Sequence, residues 1–217
     1  MKKLVIFDLD GTLIDTIKDA GRCFKKTLEY FGFSTHLLKK FDCMVAGDLE
    51  LIFSSLLEEK NRTPENISKL KAKYREIYAE DPKPNTKPFA GILEVLQQLN
   101  ADSNISIAIN TNKSQILAEK ICKEMLSEIE FSGIFGYVEE RPSKPDPFGA
   151  NELMKINNVL PQETIYVGDS ITDIYTAKNA GIDCIFVNWL QADISNLLKE
   201  NHVSFVANTP ADILNFL

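Results

Sequence analysis

A chain of 217 residues, 44% hydrophobic and 25% charged, has the makeup of an ordinary soluble globular protein, with room for one large domain or a core carrying a substantial insertion. Acidic residues outnumber basic ones, 31 to 24, for a formal net charge of -7, which excludes the broad positive field that a nucleic acid polymer requires of its partner. No apolar run approaches the ~20 residues of a membrane span, and Cys23, Cys43, Cys122 and Cys184 show neither CxxC spacing nor a neighbouring histidine, so buried reduced thiols are expected.

The first residues lead straight into a predicted strand, "KLVIF", without the basic, apolar and small-residue regions of a secretory signal, so a cytoplasmic protein is expected. That strand runs into "DLDGTLIDT", which places Asp8 and Asp10 two residues apart where a buried strand stops. Two carboxylates there cost several kcal/mol unless something pairs them. Asp-Gly is also a turn signal, and a simple strand-ending turn is the alternative reading.

Residues 17–81 contain helical patterns and no convincing strand: "IKDAGRCFKKTLEYFGF", "DLELIFSSLLEEK" and "PENISKLKAKYREIYAE", the last opened by Thr63 as N-cap and Pro64 at the first helical position. A proline-dense stretch, "DPKPNTKPFAG", follows. The expected domains are an α/β core over residues 1–16 and 82–217 and a helical insertion over 17–81, with hinges near Asp15 to Ile17 and Pro82 to Pro88. The basic side chains Arg22, Lys25 and Lys26 and the "KKF" run at 39–41 face either a substrate or solvent.

Beyond the insertion, strands and helices alternate. Short apolar runs at 105–110, 133–138, 164–168, 184–188 and 203–207 read as strands covered on both faces. One helical pattern has apolar residues at Ile92, Leu93, Val95, Leu96 and Leu99, and another places Ile116, Leu117, Ile121 and Met125 on one side, with Ser114 and Asp146 as N-caps, Pro147 in a first turn and Gly181 closing a helix. This alternation predicts a doubly wound, mainly parallel, Rossmann-like α/β sheet.

Ligands of such sheets bind beyond the carboxyl ends of the strands. Asp8 and Asp10 follow the first strand; Asn110, Thr111, Asn112 and Lys113 follow "ISIAI"; Lys144 lies in "RPSKPDP"; Gly168, Asp169, Ser170 and Asp173 follow "TIYV". Carboxylate oxygens suit Mg²⁺, and phosphoryl transfer needs charge neutralisation together with an in-line nucleophile, which a carboxylate can supply. Asp173 can equally serve to favour the first turn of its helix. His36 and His202 have no partner at ligand spacing and read as surface or packing residues.

"DLDGTLIDT", "NTNK", the "KPDP" lysine and "GDSITD", in this order and spacing, are similar to the four motifs of the haloacid dehalogenase-like superfamily. The helical insertion after the first motif resembles the phosphoglycolate phosphatase and β-phosphoglucomutase branch, whose members carry a helical cap. The resemblance implies an Mg²⁺-dependent phosphatase acting on a small phosphorylated metabolite. It implies Asp8 as nucleophile and metal ligand, and Asp10 as general acid and base with its backbone carbonyl on the metal. Thr111, Asn112 and Lys144 would hold the phosphoryl group, Asp169 would bind metal, and Asp173 would be a ligand or an orienter. An acid at Asp10 favours transfer from oxygen over cleavage of carbon–halogen or carbon–phosphorus bonds. A phosphomutase, a nucleotidase or pyrophosphatase of the same branch, and a non-catalytic phospho-aspartate switch are the other readings; Thr12 after the glycine favours hydrolysis over the mutase. "MVAGDLELI", with Gly47, loosely resembles the cap loop that meets the leaving group.

Overall fold

A computed structural model of the protein describes residues 2–38, 49–200 and 202–217. The chain forms two compact units, one of residues 1–14 and 88–217 and the other of residues 15–87. The second includes the stretch read as the helical insertion. Two short strands, β2 (Ile14–Asp15) and β3 (Lys87–Pro88), pair with each other where the chain crosses from one unit to the other.

The larger unit is built on six parallel strands, β1 (Leu4–Phe7), β4 (Ser106–Ser114), β5 (Gly133–Tyr137), β6 (Thr164–Gly168), β7 (Asp183–Val187) and β8 (Phe205–Ala207). Their order is β5-β4-β1-β6-β7-β8, a parallel sheet of the doubly wound kind that the alternating pattern predicts. The connections include α4 (Ile92–Ala101), α5 (Gln115–Met125), α6 (Phe148–Ile156), α7 (Ile171–Ala180) and α8 (Ser195–Glu200). After β1 the chain builds outward to β4 and β5, then returns to the other side of β1 for β6. The switch point therefore lies at β1 and β6, where this topology opens a crevice for ligands.

Alternation along β1 divides its side chains between two apolar layers. Val5 and Phe7 pack with Ile107, Ile109, Val167 and the α4 residues Ile92, Val95 and Leu96, whereas Leu4 and Ile6 pack with Leu153, Tyr166 and Ile174. All four β1 residues are fully buried. At about 1.5–3 kcal/mol for each large apolar side chain withdrawn from water, this strand holds its place against any local preference of the chain. Parallel pairing aligns Phe7 with both Ile109 and Val167, so Asp8 leaves the sheet level with Asn110 and Gly168.

Three sequence expectations need correction. β4 continues through Thr111, Asn112 and Lys113 to Ser114, with its register against β5 shifting between Asn110 and Ser114, so the motif lies within an irregular strand rather than after it. Ser114 occupies the cap position of α5 without a side-chain cap bond; α5 instead begins directly from the strand. Leu93 and Ile116 are exposed, the latter by 79%, because α4 and α5 turn narrower faces to the core than their apolar residues allow. Asp146 does accept from the Phe148 amide at the start of α6, and Gly181 ends α7 with a left-handed backbone. Cys23, Cys122 and Cys184 are free and buried. Cys43, the "KKF" run and Gly47 lie outside the described residues.

The smaller unit packs α1 (Ile17–Tyr30), α2 (Leu49–Leu56) and α3 (Pro64–Glu80) around an aromatic cluster in which Phe24 stacks on Tyr74, centroids 4.2 Å apart, and meets Phe53 edge-on at 5.2 Å. Thr63 caps α3 by accepting from the Asn66 amide, as its sequence predicts. Three basic residues of α1 have acidic partners: Arg22 contacts Asp19 and Asp81, Lys26 contacts Asp81 at 3.4 Å, and Lys25 lies 3.7 Å from Glu29. Asp19 also accepts from the Asn85 amide at 2.9 Å, the Asn85 side chain at 2.8 Å and the Thr86 hydroxyl at 2.7 Å. These bonds fasten the segment after α3 to the start of α1.

Burial opposes ionisation of Asp19 and Asp81, but donors from Asn85, Thr86 and Arg22 on the first, and from Arg22, Lys83 and Lys26 on the second, hold both carboxyls below the usual range. A depressed folded-state pKa stabilises above the unfolded value of about 3.9 and is lost as pH falls through the folded value. Amide hydrogen exchange should therefore show protection of α1 and α3 falling below about pH 4. Asp81→Asn should cut that protection near neutral pH and much less in acid; a pH-independent effect would contradict the assignment.

Candidate active site

The in-register ends of β1, β4 and β6 bring the predicted residues to one edge of the sheet. Asp8, just past β1, is buried, and its amide donates to the Val167 carbonyl at 2.9 Å. Lys144, from the loop between β5 and α6, extends its nearly buried side chain to Asp8 Oδ1 at 2.8 Å and Asp173 Oδ1 at 2.6 Å. The contact with Asp8 has ion-pair distance but not hydrogen-bond alignment, so Asp8 Oδ1 is charge-paired and still lacks a donor.

Asp173 lies in the first turn of α7 and closes a capping box with Ser170. Its Oδ2 accepts from the Ser170 amide at 3.0 Å and hydroxyl at 2.5 Å, while Ser170 Oγ accepts from the Asp173 amide at 3.2 Å. With Lys144 on Oδ1, both oxygens of Asp173 carry donors. The helix-start and orienting readings of Asp173 thus describe one geometry.

Asp8, Asp169 and Asp173 each present a carboxylate oxygen within 4.8 Å of the others. Lys144 supplies one positive charge against these three, leaving two negative charges over when all are ionised. Burial pushes the Asp8 carboxyl up to about 7, with Lys144 opposing and Asp173 adding to the rise. Burial, then Asp173 and Asp8, drive Asp169 well above the carboxylate range. Burial disfavours the Lys144 ammonium, yet Asp173 and Asp8 outweigh it and hold this amine above its ordinary value. Hard oxygen donors, with an excess of two charges when all three acids are ionised, fit a divalent cation such as Mg²⁺.

Two glycines make room for this cluster. A Cβ on Gly11 would stand 2.2 Å from Asp169 Oδ2, and one on Gly168 would stand 2.3 Å from Asp173 Cγ. Gly11 also has φ +82, in the left-handed region that side chains disfavour. The turn is tied down by the Gly11 amide on the Ile14 carbonyl and by the Trp189 indole on the Thr12 carbonyl at 2.9 Å. The Thr12 hydroxyl donates to Asp169 at 3.3 Å.

Asp10 belongs to a different ion pair. Both of its oxygens lie 2.8 Å from Lys113 Nζ, and it is not in the carboxylate cluster. Leu9 is buried in the apolar layer of Val5 and Phe7 and separates the two acids along the chain. On β4, Thr111 Oγ1 accepts from the Lys113 amide at 3.2 Å, which leaves its hydroxyl proton to donate elsewhere. The Asn112 side-chain amide donates to the Lys144 carbonyl at 3.1 Å, tying β4 to the lysine loop, and Asn112 Oδ1 has no donor. His36 contacts Ser34, and His202 contacts the Ile182 carbonyl.

Sequence reasoning assigned no role to Lys113, Ser170 or Tyr166. Lys113 follows the matched Thr-Asn pair, and Ser170 stands three residues before Asp173, the spacing of a capping box, so both carried a signal. Tyr166 reads as a core aromatic; only the fold reveals that its hydroxyl donates to the Asn110 carbonyl at 2.8 Å and that its ring lies 5.9 Å from Lys144 Nζ.

The chain folds into a parallel sheet with this switch point and a carboxylate–lysine cluster at its ligand-binding edge, and the sequence profile of the haloacid dehalogenase-like hydrolases matches residues 5–187. The chain belongs to this family. It is 26% identical to phosphoglycolate phosphatase of Aquifex aeolicus (strain VF5), across 99% of this chain and 96% of that one. It is 29% identical to phosphoglycolate phosphatase of Agrobacterium fabrum (strain C58 / ATCC 33970), across 97% and 92%. A haloacid dehalogenase-like family hydrolase from Streptococcus pneumoniae shares the fold with a TM-score of 0.84 at 23% identity, over 99% of this chain and 98% of its own. No helix among the described residues is long and apolar enough to cross a membrane.

Gly11→Ala should lower folding stability by about 1–2 kcal/mol, the cost of a side chain in a left-handed backbone. It should also displace Asp169 and weaken binding of Mn²⁺, used as a divalent probe, in calorimetry. Unchanged Mn²⁺ affinity would show that Asp169 is not a ligand.

Proposed function

We propose that the protein is an Mg²⁺-dependent phosphatase that hydrolyses a small phosphate monoester through an aspartyl phosphate on Asp8. The observation that carries this reading is the position of Asp8: buried at the end of the central strand, paired with Lys144, within reach of Asp169 and Asp173, and with one oxygen lacking a hydrogen-bond donor. The relatives named phosphoglycolate phosphatase make phosphoglycolate the first substrate to test.

Asp8 and Asp169 would hold the cation, with the Asp10 backbone carbonyl as a further oxygen donor, while Asp173, saturated by Ser170 and Lys144, positions the lysine. When bound, the cation supplies charge neutralisation at the transferring phosphoryl group. An Asp8 oxygen attacks phosphorus as the ester P–O bond breaks, and Asp10 delivers a proton to the departing alkoxide. Asp10 then takes a proton from water as that water attacks the aspartyl phosphate, releasing phosphate and restoring Asp8. The Thr111 hydroxyl, the second Asn112 side-chain N–H and the Lys144 ammonium bind the phosphoryl oxygens. The unit that contains residues 17–81 serves as the cap and selects the leaving group.

A phosphate-release screen over phosphoglycolate, sugar phosphates, nucleotides and pyrophosphate tests the function. Turnover should stop on chelation with EDTA and return with Mg²⁺; metal-independent hydrolysis would overturn the cation assignment. Asp8→Asn should lose at least about 10³-fold in kcat with its circular dichroism intact, and retained turnover would remove Asp8 as nucleophile. Asp10→Asn should lose about 10²–10⁴-fold with alkyl esters and far less with p-nitrophenyl phosphate, whose leaving group needs no proton.

A further inference from the structure

The site contains two lysines, and the phosphatase reading uses only Lys144. Lys113 has a side chain 5% exposed, deeper than that of its partner Asp10 at 26%, and its ammonium is equidistant from both Asp10 oxygens at 2.8 Å. Its backbone is fixed as well: it sits in β4, where the register against β5 shifts, and its amide donates to Thr111 Oγ1.

Asp10 follows Asp8 by two residues on a strand end whose neighbouring carboxylates converge within 4.8 Å. A cation drawn to Asp8, Asp169 and Asp173 also attracts any other carboxylate within reach, and a side chain captured by it could not serve the leaving oxygen. Lys144 bridges Asp8 and Asp173, whereas the Lys113 ammonium contacts Asp10.

We propose that Lys113 is a positioning residue that holds the Asp10 carboxylate out of the cation-binding cluster and aims it at the leaving group. The proposal rests on the reading of Asp10 as proton donor in a phosphatase. A buried lysine could instead need Asp10 merely as a counter-charge, in which case its loss would impair folding without a preference for one leaving group and without altering cation affinity.

The test compares wild type, Asp10→Asn, Lys113→Met and the double variant in kcat for phosphoglycolate and for p-nitrophenyl phosphate, and in Mn²⁺ binding by calorimetry without substrate. Lys113→Met should lose about 10²-fold on the alkyl ester, the scale of a misplaced reacting group, and less than about threefold on the nitrophenyl ester. The double variant should be no slower than Asp10→Asn alone, because both changes disable one function. Mn²⁺ should bind more tightly to Lys113→Met than to wild type as Asp10 joins the cluster, and this gain should vanish in the double variant. Equal losses on both esters, multiplicative losses in the double variant, or unchanged Mn²⁺ affinity would overturn the proposal. Should Lys113→Met not fold, Lys113→Gln, which keeps a polar head in the buried site, takes its place. If wild type hydrolyses neither ester, the phosphatase reading fails, while the Mn²⁺ comparison still decides whether Lys113 keeps Asp10 off the cation.

Discussion

Lys144 and the two carboxylates it touches are the constraint to which the ligand-binding end of the sheet is fitted. An ammonium with almost no exposure is tolerable only with counter-charges at contact distance, and Asp8 and Asp173 approach to 2.8 and 2.6 Å from two different segments of the chain. Those segments stay in place because β1 and β6 pair in register and their side chains are fully buried. The glycines at 11 and 168 follow from the same packing, since a methyl group at either would occupy the space of a carboxylate. Three oxygen-donor acids around one ammonium suit the cluster to a divalent cation, whose charge would offset the cost that burial places on ionising Asp8 and Asp169.

The two acids of the first motif illustrate how chain neighbours acquire different chemistry. Asp8 and Asp10 are separated by Leu9, whose burial among Val5 and Phe7 fixes the backbone between them. One acid enters a dry cluster where burial raises its carboxyl to about 7; the other, more exposed, is held by Lys113. The smaller unit has its own buried charge network, in which Asp19, Arg22 and Asp81 join the start of α1 to the segment after α3. That network employs Arg22 and Lys26 of α1 in structure.

Much of the fold was legible because its signals are local and periodic. Apolar runs of strand length alternating with helical faces define a parallel sheet, and Thr63-Pro64 or Gly181 mark helix ends through backbone chemistry that needs no distant partner. The extent of β4 was not legible, because "NTNK" is polar and spans the irregularity in the pairing of β4 with β5, which resumes at Ser114. Ile116 misled for the complementary reason: an apolar residue reveals which face it would prefer, not whether a neighbouring element arrives to cover it.

By itself the sequence determined the chemistry available: carboxylates, hydroxyls, amides and lysines spaced along strand ends in the order of four family motifs, on a chain able to form a doubly wound sheet. Tertiary structure decided which charge meets which. Spacing of two residues cannot tell that Asp8 pairs with Lys144 while Asp10 pairs with Lys113, because those lysines lie far away in sequence and reach the site only through strand register. Nor can it tell that each Asp173 oxygen already has a donor, from Lys144 on one and Ser170 on the other. Coulomb attraction and hydrogen bonding act over a few ångströms, so their partners are settled by the distances that the folded backbone imposes.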